Sequence, residues 1–248
     1  MSTASSISAP PAFSACWACG VTLGESPLVC ASCGKVQPAA APGKAADYFQ
    51  VFGLARKFSL NGDAIGALER EFHRLSRRLH PDRFVRATPE EQQWSLANTA
   101  LLNDAYRTLR DPIRRTEYLL QLEGLKVGEE NSGRNKSADR QPPADLLEEV
   151  FELNMQLEEM RMNQKIGEND PALVSDLTGV SLQFESMLAD LDRELAEEGS
   201  NWDEGDAPTR EKTAKEMAGQ LDRRRYLRNL VRDVNEVLST GEEARKDA

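Results

Sequence analysis

Aromatic residues make up only 6% of the 248-residue chain, and no run of β-branched residues occurs anywhere along it. Both absences argue against an all-β fold. No apolar stretch reaches the roughly 18 residues that a membrane span requires, so no membrane association is expected. Histidine occurs only at positions 73 and 80, and no glycine-rich phosphate loop is present. A multi-histidine metal site and a phosphate-binding loop are both excluded. The opening "MSTASSISAPPAFSA" has neither the basic and apolar regions of a secretory signal nor the arginines of a mitochondrial presequence. A bacterial cytoplasm is the expected setting, and a mitochondrial matrix applies only if the chain is eukaryotic.

Positive charge is also scarce. Lys and Arg number 31 against 41 Asp and Glu, a net charge of −10, which speaks against a nucleic-acid partner for the whole chain. The imbalance is uneven. Residues 63–86 carry six Arg against four acids (net +2), whereas 143–204 carry 17 acids against three basic residues (net −14). A mildly basic module followed by an acidic one implies two different partners.

What is abundant is helical grammar. In the first module Asp63 is placed to cap a helix whose apolar positions are Ile65, Leu68, Phe72, Leu75 and Leu79, spaced as one buried stripe. Arg70, Arg74, Arg77 and Arg78 fall elsewhere on that helix, and Pro81 stops it. A second helix is predicted over 89–110, with Pro89 in its first turn and Trp94, Ala97, Leu101, Ala105 and Leu109 keeping the period. A polar, Gly- and Pro-containing stretch marks a linker at 124–143. Three further amphipathic helices follow, carrying Leu146, Leu147, Val150, Leu153 (or Phe151), Leu157 and Met160; then Leu173, Leu177, Leu182, Phe184, Leu188 and Leu191; then Leu221, Leu227, Leu230, Val234, Val237 and Leu238. The expected organisation is a disordered tail at 1–15, a four-cysteine module at 16–38, a short linker at 39–44, a helical hairpin domain at 46–123, the 124–143 linker, and a three-helix bundle at 144–240.

All four cysteines lie in "CWACGVTLGESPLVCASCGK", a C-x2-C-x10-C-x2-C pattern formed by Cys16, Cys19, Cys30 and Cys33. Each CxxC turn aims two thiolates at one cation, and four thiolates make the closed tetrahedral site of structural zinc. Iron is the alternative, since all-thiolate sites accept both. About 20 residues cannot bury a core of their own, so the metal would supply the folding energy. Two unrelated pairs or disulfides, and a redox role, are the competing readings.

The stretch "SRRLHPDRF" at 76–84 admits four readings: a helix stop, a metal site, a catalytic His80–Asp82 pair, or a contact surface. A catalytic pair needs a nucleophile and a pocket, and nothing nearby in the sequence supplies them. The surrounding motifs carry a resemblance that bears on the choice. A basic amphipathic helix, then His80-Pro81-Asp82, then a helix ending in "LLNDAYRTLRDP", resembles a J domain, with Asn103, Ala105, Tyr106, Leu109, Asp111 and Pro112 matching that family's third-helix run. "DYFQVFGL" at 47–54 resembles its opening. The same octapeptide, "EYLLQLEG" and the acidic C-terminal helices resemble the HscB-type J proteins of iron–sulfur cluster assembly, and the four-cysteine stretch resembles the metal-binding extension of the longer members.

The resemblance implies an all-α fold, a J-domain hairpin plus a C-terminal three-helix bundle, preceded by a zinc-ribbon or rubredoxin-like knuckle. It implies a non-enzymatic co-chaperone that stimulates the ATPase of a DnaK/HscA-type chaperone of the heat-shock-protein-70 class and delivers an IscU-type scaffold to it. Carried over, the chaperone-binding residues are His80, Pro81, Asp82, Arg70, Arg74, Arg77, Arg78 and Arg83. The scaffold-binding residues are Leu147, Phe151, Glu152, Met155, Glu159 and Tyr226, with Met155 standing where the family commonly has glutamate. The competing functions are a general J-domain co-chaperone and, in a different class, a redox or iron-handling protein centred on the cysteines.

Overall fold

The computed structural model describes residues 15–23, 28–38, 46–60, 62–125, 144–168 and 170–246. The expected tail apart from Ala15, the 39–44 linker and residues 126–143 of the longer linker lie outside the described residues. The chain divides into two compact units, Met1–Arg115 and Thr116–Ala248. No named strand occurs among the described residues; the cysteine module carries two isolated antiparallel bridges, Ala15–Thr22 and Val29–Val36. The fold is all-α, as the periodicities predict.

In the first unit a one-turn helix α1 (Tyr48–Val51) is capped by Asp47, whose Oδ1 accepts from the Phe49 N–H and whose Oδ2 takes Arg56 Nε at 2.7 Å. Helix α2 (Gly62–Leu79) and helix α3 (Pro89–Arg110) form an antiparallel hairpin, connected through a 3-10 turn at Pro81–Phe84. Asp63 lies inside the first turn of α2 rather than capping it. Helix α3 has the predicted bounds because Thr88 and Glu91 close a reciprocal capping box around Pro89. Helix α4 (Pro112–Leu122) follows at once, its first N–H groups received by the Asp111 carboxylate. The buried Arg115, the last residue of this unit, donates to the carbonyls of Phe58 (2.8 Å) and Leu109 (2.5 Å).

One predicted face turns out differently. On α3 the buried positions are Glu91, Ser95, Asn98, Leu102, Ala105 and Leu109; Ala97 is exposed and Trp94 and Leu101 are half-buried. The polar members of this face are acceptable in the interior because each makes at least one hydrogen bond, although Asn98 Oδ1 is left without one. Ser95 Oγ donates to the Leu79 carbonyl at 2.6 Å, at the exposed end of α2's hydrogen-bond ladder, and Thr99 Oγ1 reaches the same oxygen at 3.3 Å. Phe72 is also only half-buried, stacked on Tyr106 with ring centroids 4.1 Å apart.

The second unit is built on α5 (Leu147–Ile166), α6 (Pro171–Glu204) and α7 (Ala207–Lys246). Only two residues separate α6 from α7, which makes them antiparallel neighbours. Their pairing is fixed by the fork of Arg224 on the Asp192 carboxylate (2.5 and 3.1 Å). Leu146, just before α5, and Val150, Leu153, Leu157 and Met160 of α5 close one core with Leu173, Leu177, Phe184 and Leu191 of α6 and Leu227, Leu230, Val234 and Val237 of α7. Leu182 is 62% exposed, against expectation. The stripe 173–177–184–191 runs in steps of four, seven and seven, and a residue two before Phe184 falls off it; Ser181 takes the inward position, its hydroxyl 3.3 Å from Asn235 Oδ1.

Candidate functional site

The chemistry-bearing residues gather in three places: the corner between α2 and α3, the four-cysteine module, and the outer face of α5. At the corner, α2 ends at Leu79 and Pro81 opens the 3-10 turn. His80 points outward with its side chain 58% exposed, and Asp82 is 86% exposed. His80 Nδ1 accepts from the Asp82 N–H at 3.3 Å and lies 3.4 Å from Asp82 Oδ2. At this exposure a pair between the two side chains is worth little. What is rigid is the backbone. The hydroxyls of Ser95 and Thr99 hold the Leu79 carbonyl, so the triplet stands on a braced corner while its side chains remain open to a partner.

The arginines divide. Arg70, Arg77 and Arg83 are exposed. Arg74 is also exposed but folded onto Glu71 one turn away, at 2.7 Å from Nε to Oε2. Arg78 is half-buried and donates from Nη2 to the Cys30 carbonyl at 3.3 Å. It serves the cysteine module as well as the strip expected of it.

In that module the Sγ atoms of Cys16, Cys19, Cys30 and Cys33 all lie within 4.8 Å of one another, with Cys16–Cys33 at 3.7 Å and Cys19–Cys30 at 3.8 Å. All four are free thiols. Sulfur ligands about 2.3 Å from a tetrahedral cation sit about 3.8 Å apart, so the cluster has the size of a thiolate metal site. Its two halves repeat one turn: the Gly20 N–H donates to the Cys16 carbonyl and the Gly34 N–H to the Cys30 carbonyl, with φ of 73° and 74° that favour glycine at both places. Burial opposes ionisation of Cys16, yet backbone N–H groups of Cys19 and Ala18 bring its thiol down to about 6. The Lys35 N–H favours a Cys33 thiolate, but burial and the neighbouring sulfurs push that thiol up to about 12. Four negative sulfurs this close need a cation between them.

The module also docks on the α2–α3 hairpin through contacts that the spacing of cysteines could not reveal. Trp17 meets Trp94 of α3 edge-on, centroids 5.6 Å apart, and its Nε1 donates to the Val36 carbonyl at 2.8 Å. Asn98 Nδ2 donates to the Gln37 carbonyl at 2.9 Å. Lys35 Nζ binds the buried Glu91 at 2.7 Å, and this hydrogen bond holds the Glu91 carboxyl below its usual range. The links from Lys35 and Gln37 explain why α3 buries polar residues at 91 and 98.

On α5 the predicted scaffold residues Leu147, Phe151, Glu152, Met155 and Glu159 are all exposed. Tyr226 does not join them. It is 4% exposed and belongs to the bundle core, because successive steps of four, four and three lead from it to Leu230, Val234 and Val237 and place it in their inward stripe. Burial there pushes its phenol pKa up. Two side chains absent from the predicted set, Met162 (62%) and Ile166 (69%), are exposed further along the same helix. Their signal is present in the sequence as steps of seven and four beyond Met155.

No family model matches the chain. It is 35% identical over 156 residues to the co-chaperone protein HscB homologue of Vibrio cholerae, an alignment covering 63% of this chain and 82% of that one. The Vibrio vulnificus homologue is 33% identical over 149 residues, covering 60% and 80%. Among solved structures, the chaperone HscB from Vibrio cholerae superposes with a TM-score of 0.53 at 25% identity, covering 78% of this chain and 98% of that one. The crystal structure of the human co-chaperone protein HscB gives a TM-score of 0.59 at 25% identity, covering 90% and 97%. With its J-domain hairpin, four-thiol module and three-helix bundle, the chain belongs to the HscB co-chaperone family.

Proposed function

We propose that this chain stimulates the ATPase of a DnaK/HscA-type chaperone of the heat-shock-protein-70 class and delivers to it an IscU-type scaffold during iron–sulfur cluster assembly, in the cytoplasm. The observation that carries the first half is the braced, outward-facing His80-Pro81-Asp82 corner. A rigid turn with open polar tips can favour one state of a bistable partner without taking part in its chemistry. Arg70, Arg77 and Arg83, with Arg74 and Arg78 beside them, supply positive charge that speeds encounter with an acidic chaperone face. The second half is supported by the exposed Leu147, Phe151 and Met155 on α5, with Glu152 and Glu159 beside them. The metal of the four-cysteine module is zinc in a structural role, since four thiolates leave no coordination position open for substrate.

Single-turnover ATP hydrolysis by the chaperone tests the first claim. His80→Gln is expected to lose most of the stimulation seen with the unaltered chain, with and without scaffold, while its helix content and melting temperature stay the same. Equal stimulation by the two proteins overturns the assignment.

A further inference from the structure

Ten large apolar side chains are strongly exposed among the described residues, and five of them stand on one helix: Leu147, Phe151, Met155, Met162 and Ile166 of α5. Scattered singly such residues mean little, but a row of them does not arise from scatter. At 100° per residue these five fall within a sector of about 100°. That sector is opposite the stripe of Val150, Leu153, Leu157 and Met160 that closes the bundle core. Helix α5 is thus apolar on two opposite sides, and the bundle covers only one.

The outer row has a charge pattern. Glu148, Glu152 and Glu159 run along one edge of it, all exposed. Glu158 and Glu159 also interrupt the row, dividing it into Leu147–Phe151–Met155 and Met162–Ile166. Glu158 is paired with Arg161 on its own helix, which leaves Glu159 as the carboxylate standing between two apolar clusters. Length points the same way. From Leu147 to Met155 the helix rises about 12 Å, and from Leu147 to Ile166 about 28 Å. A standard interface buries about 800 Å² per partner, a patch roughly 30 Å across. Three side chains are too short a row for that, and all five match it.

We propose that the scaffold docks along the full length of α5, with Met162 and Ile166 forming a second apolar contact beyond Glu159. The matching scaffold face is apolar, with basic residues along the Glu148–Glu152–Glu159 edge and one of them meeting Glu159. The unbranched, polarizable Met155 and Met162 side chains adapt to such a face readily. The proposal rests on the scaffold-binding role put forward above.

The test is calorimetric titration of the full-length chain with the purified IscU-type scaffold, alongside circular dichroism melts. Met162→Ala combined with Ile166→Ala is expected to raise Kd about tenfold at unchanged helix content and melting temperature. Ile166→Lys, which sets a positive charge against a basic rim, is expected to weaken binding at least as much, and Glu159→Gln to flatten the dependence of affinity on salt. Affinity unchanged in both Met162/Ile166 variants, while Phe151→Ala with Met155→Ala binds more weakly, confines the contact to the first half of α5 and overturns the extension alone. No heat and no complex with the unaltered chain overturns the scaffold role itself, and the extension with it.

Discussion

Glu198 on α6 faces α7, where Gln220 Nε2 donates to its Oε1 at 3.0 Å while its Oε2 is buried without a hydrogen-bond partner. Burial, then the nearby carboxylates of Glu216 and Glu194, push its carboxyl pKa up. A carboxyl whose pKa is higher folded than unfolded disfavours folding when it ionises. The cost is absent below the unfolded value near 4.5, grows as pH rises through the folded value, and is constant above it. Glu198→Gln keeps the bond to Gln220 and removes the charge, so scanning calorimetry is expected to show a melting temperature higher by about 2 °C at pH 7 and unchanged at pH 4. The same reasoning separates Tyr226 from Phe151. Both are aromatic and both were expected at the scaffold surface, but a buried ring contributes to the core, and only the ring left 69% exposed is available to a partner.

At the scale of elements, the cysteine module and the α2–α3 hairpin are joined by groups with double duties. Glu91 holds the N-terminal cap of α3 and binds Lys35; Arg78 belongs to the basic helix and binds the Cys30 carbonyl; Asn98 fills the face of α3 and binds the Gln37 carbonyl. Because so small a module depends on metal for its fold, removal of the metal is expected to undo these contacts together. Chelation should abolish the near-ultraviolet dichroism of the Trp17–Trp94 pair and leave far-ultraviolet helix content almost unchanged, since α2 and α3 keep their packing on each other and α3 keeps its capping box. Zinc released in a 1:1 ratio, without colour, is expected from the same titration. Persistence of the tryptophan signal after complete metal loss would mean that the module folds on its own.

For the whole molecule, the two proposed functions are expected to be separable. The His80 corner lies in the first compact unit and the outer row of α5 in the second. His80→Gln is expected to remove chaperone stimulation at unaltered scaffold affinity. Phe151→Ala with Met155→Ala is expected to raise the scaffold Kd about tenfold while scaffold-free stimulation stays intact. Loss of both functions in either variant would show that the two surfaces depend on each other.

Local rules determined much of this protein. The spacing of apolar residues set the helices, Thr88, Pro89, Glu91 and Asp111 set their ends, Pro81 set the corner, and two CxxC turns set the thiol cluster. These features were legible because each depends on residues a few positions apart. Tertiary structure alone decided which of two apolar stripes on α5 is covered, that Tyr226 turns inward and Leu182 outward, and that α3 buries Glu91, Ser95 and Asn98 instead of Trp94, Ala97 and Leu101. It also decided that Arg78 is shared with the cysteine module. The reason is common to all of these: periodicity states that a face exists, but whether it is buried, and whether a polar group on it is satisfied, depends on partners dozens of residues away.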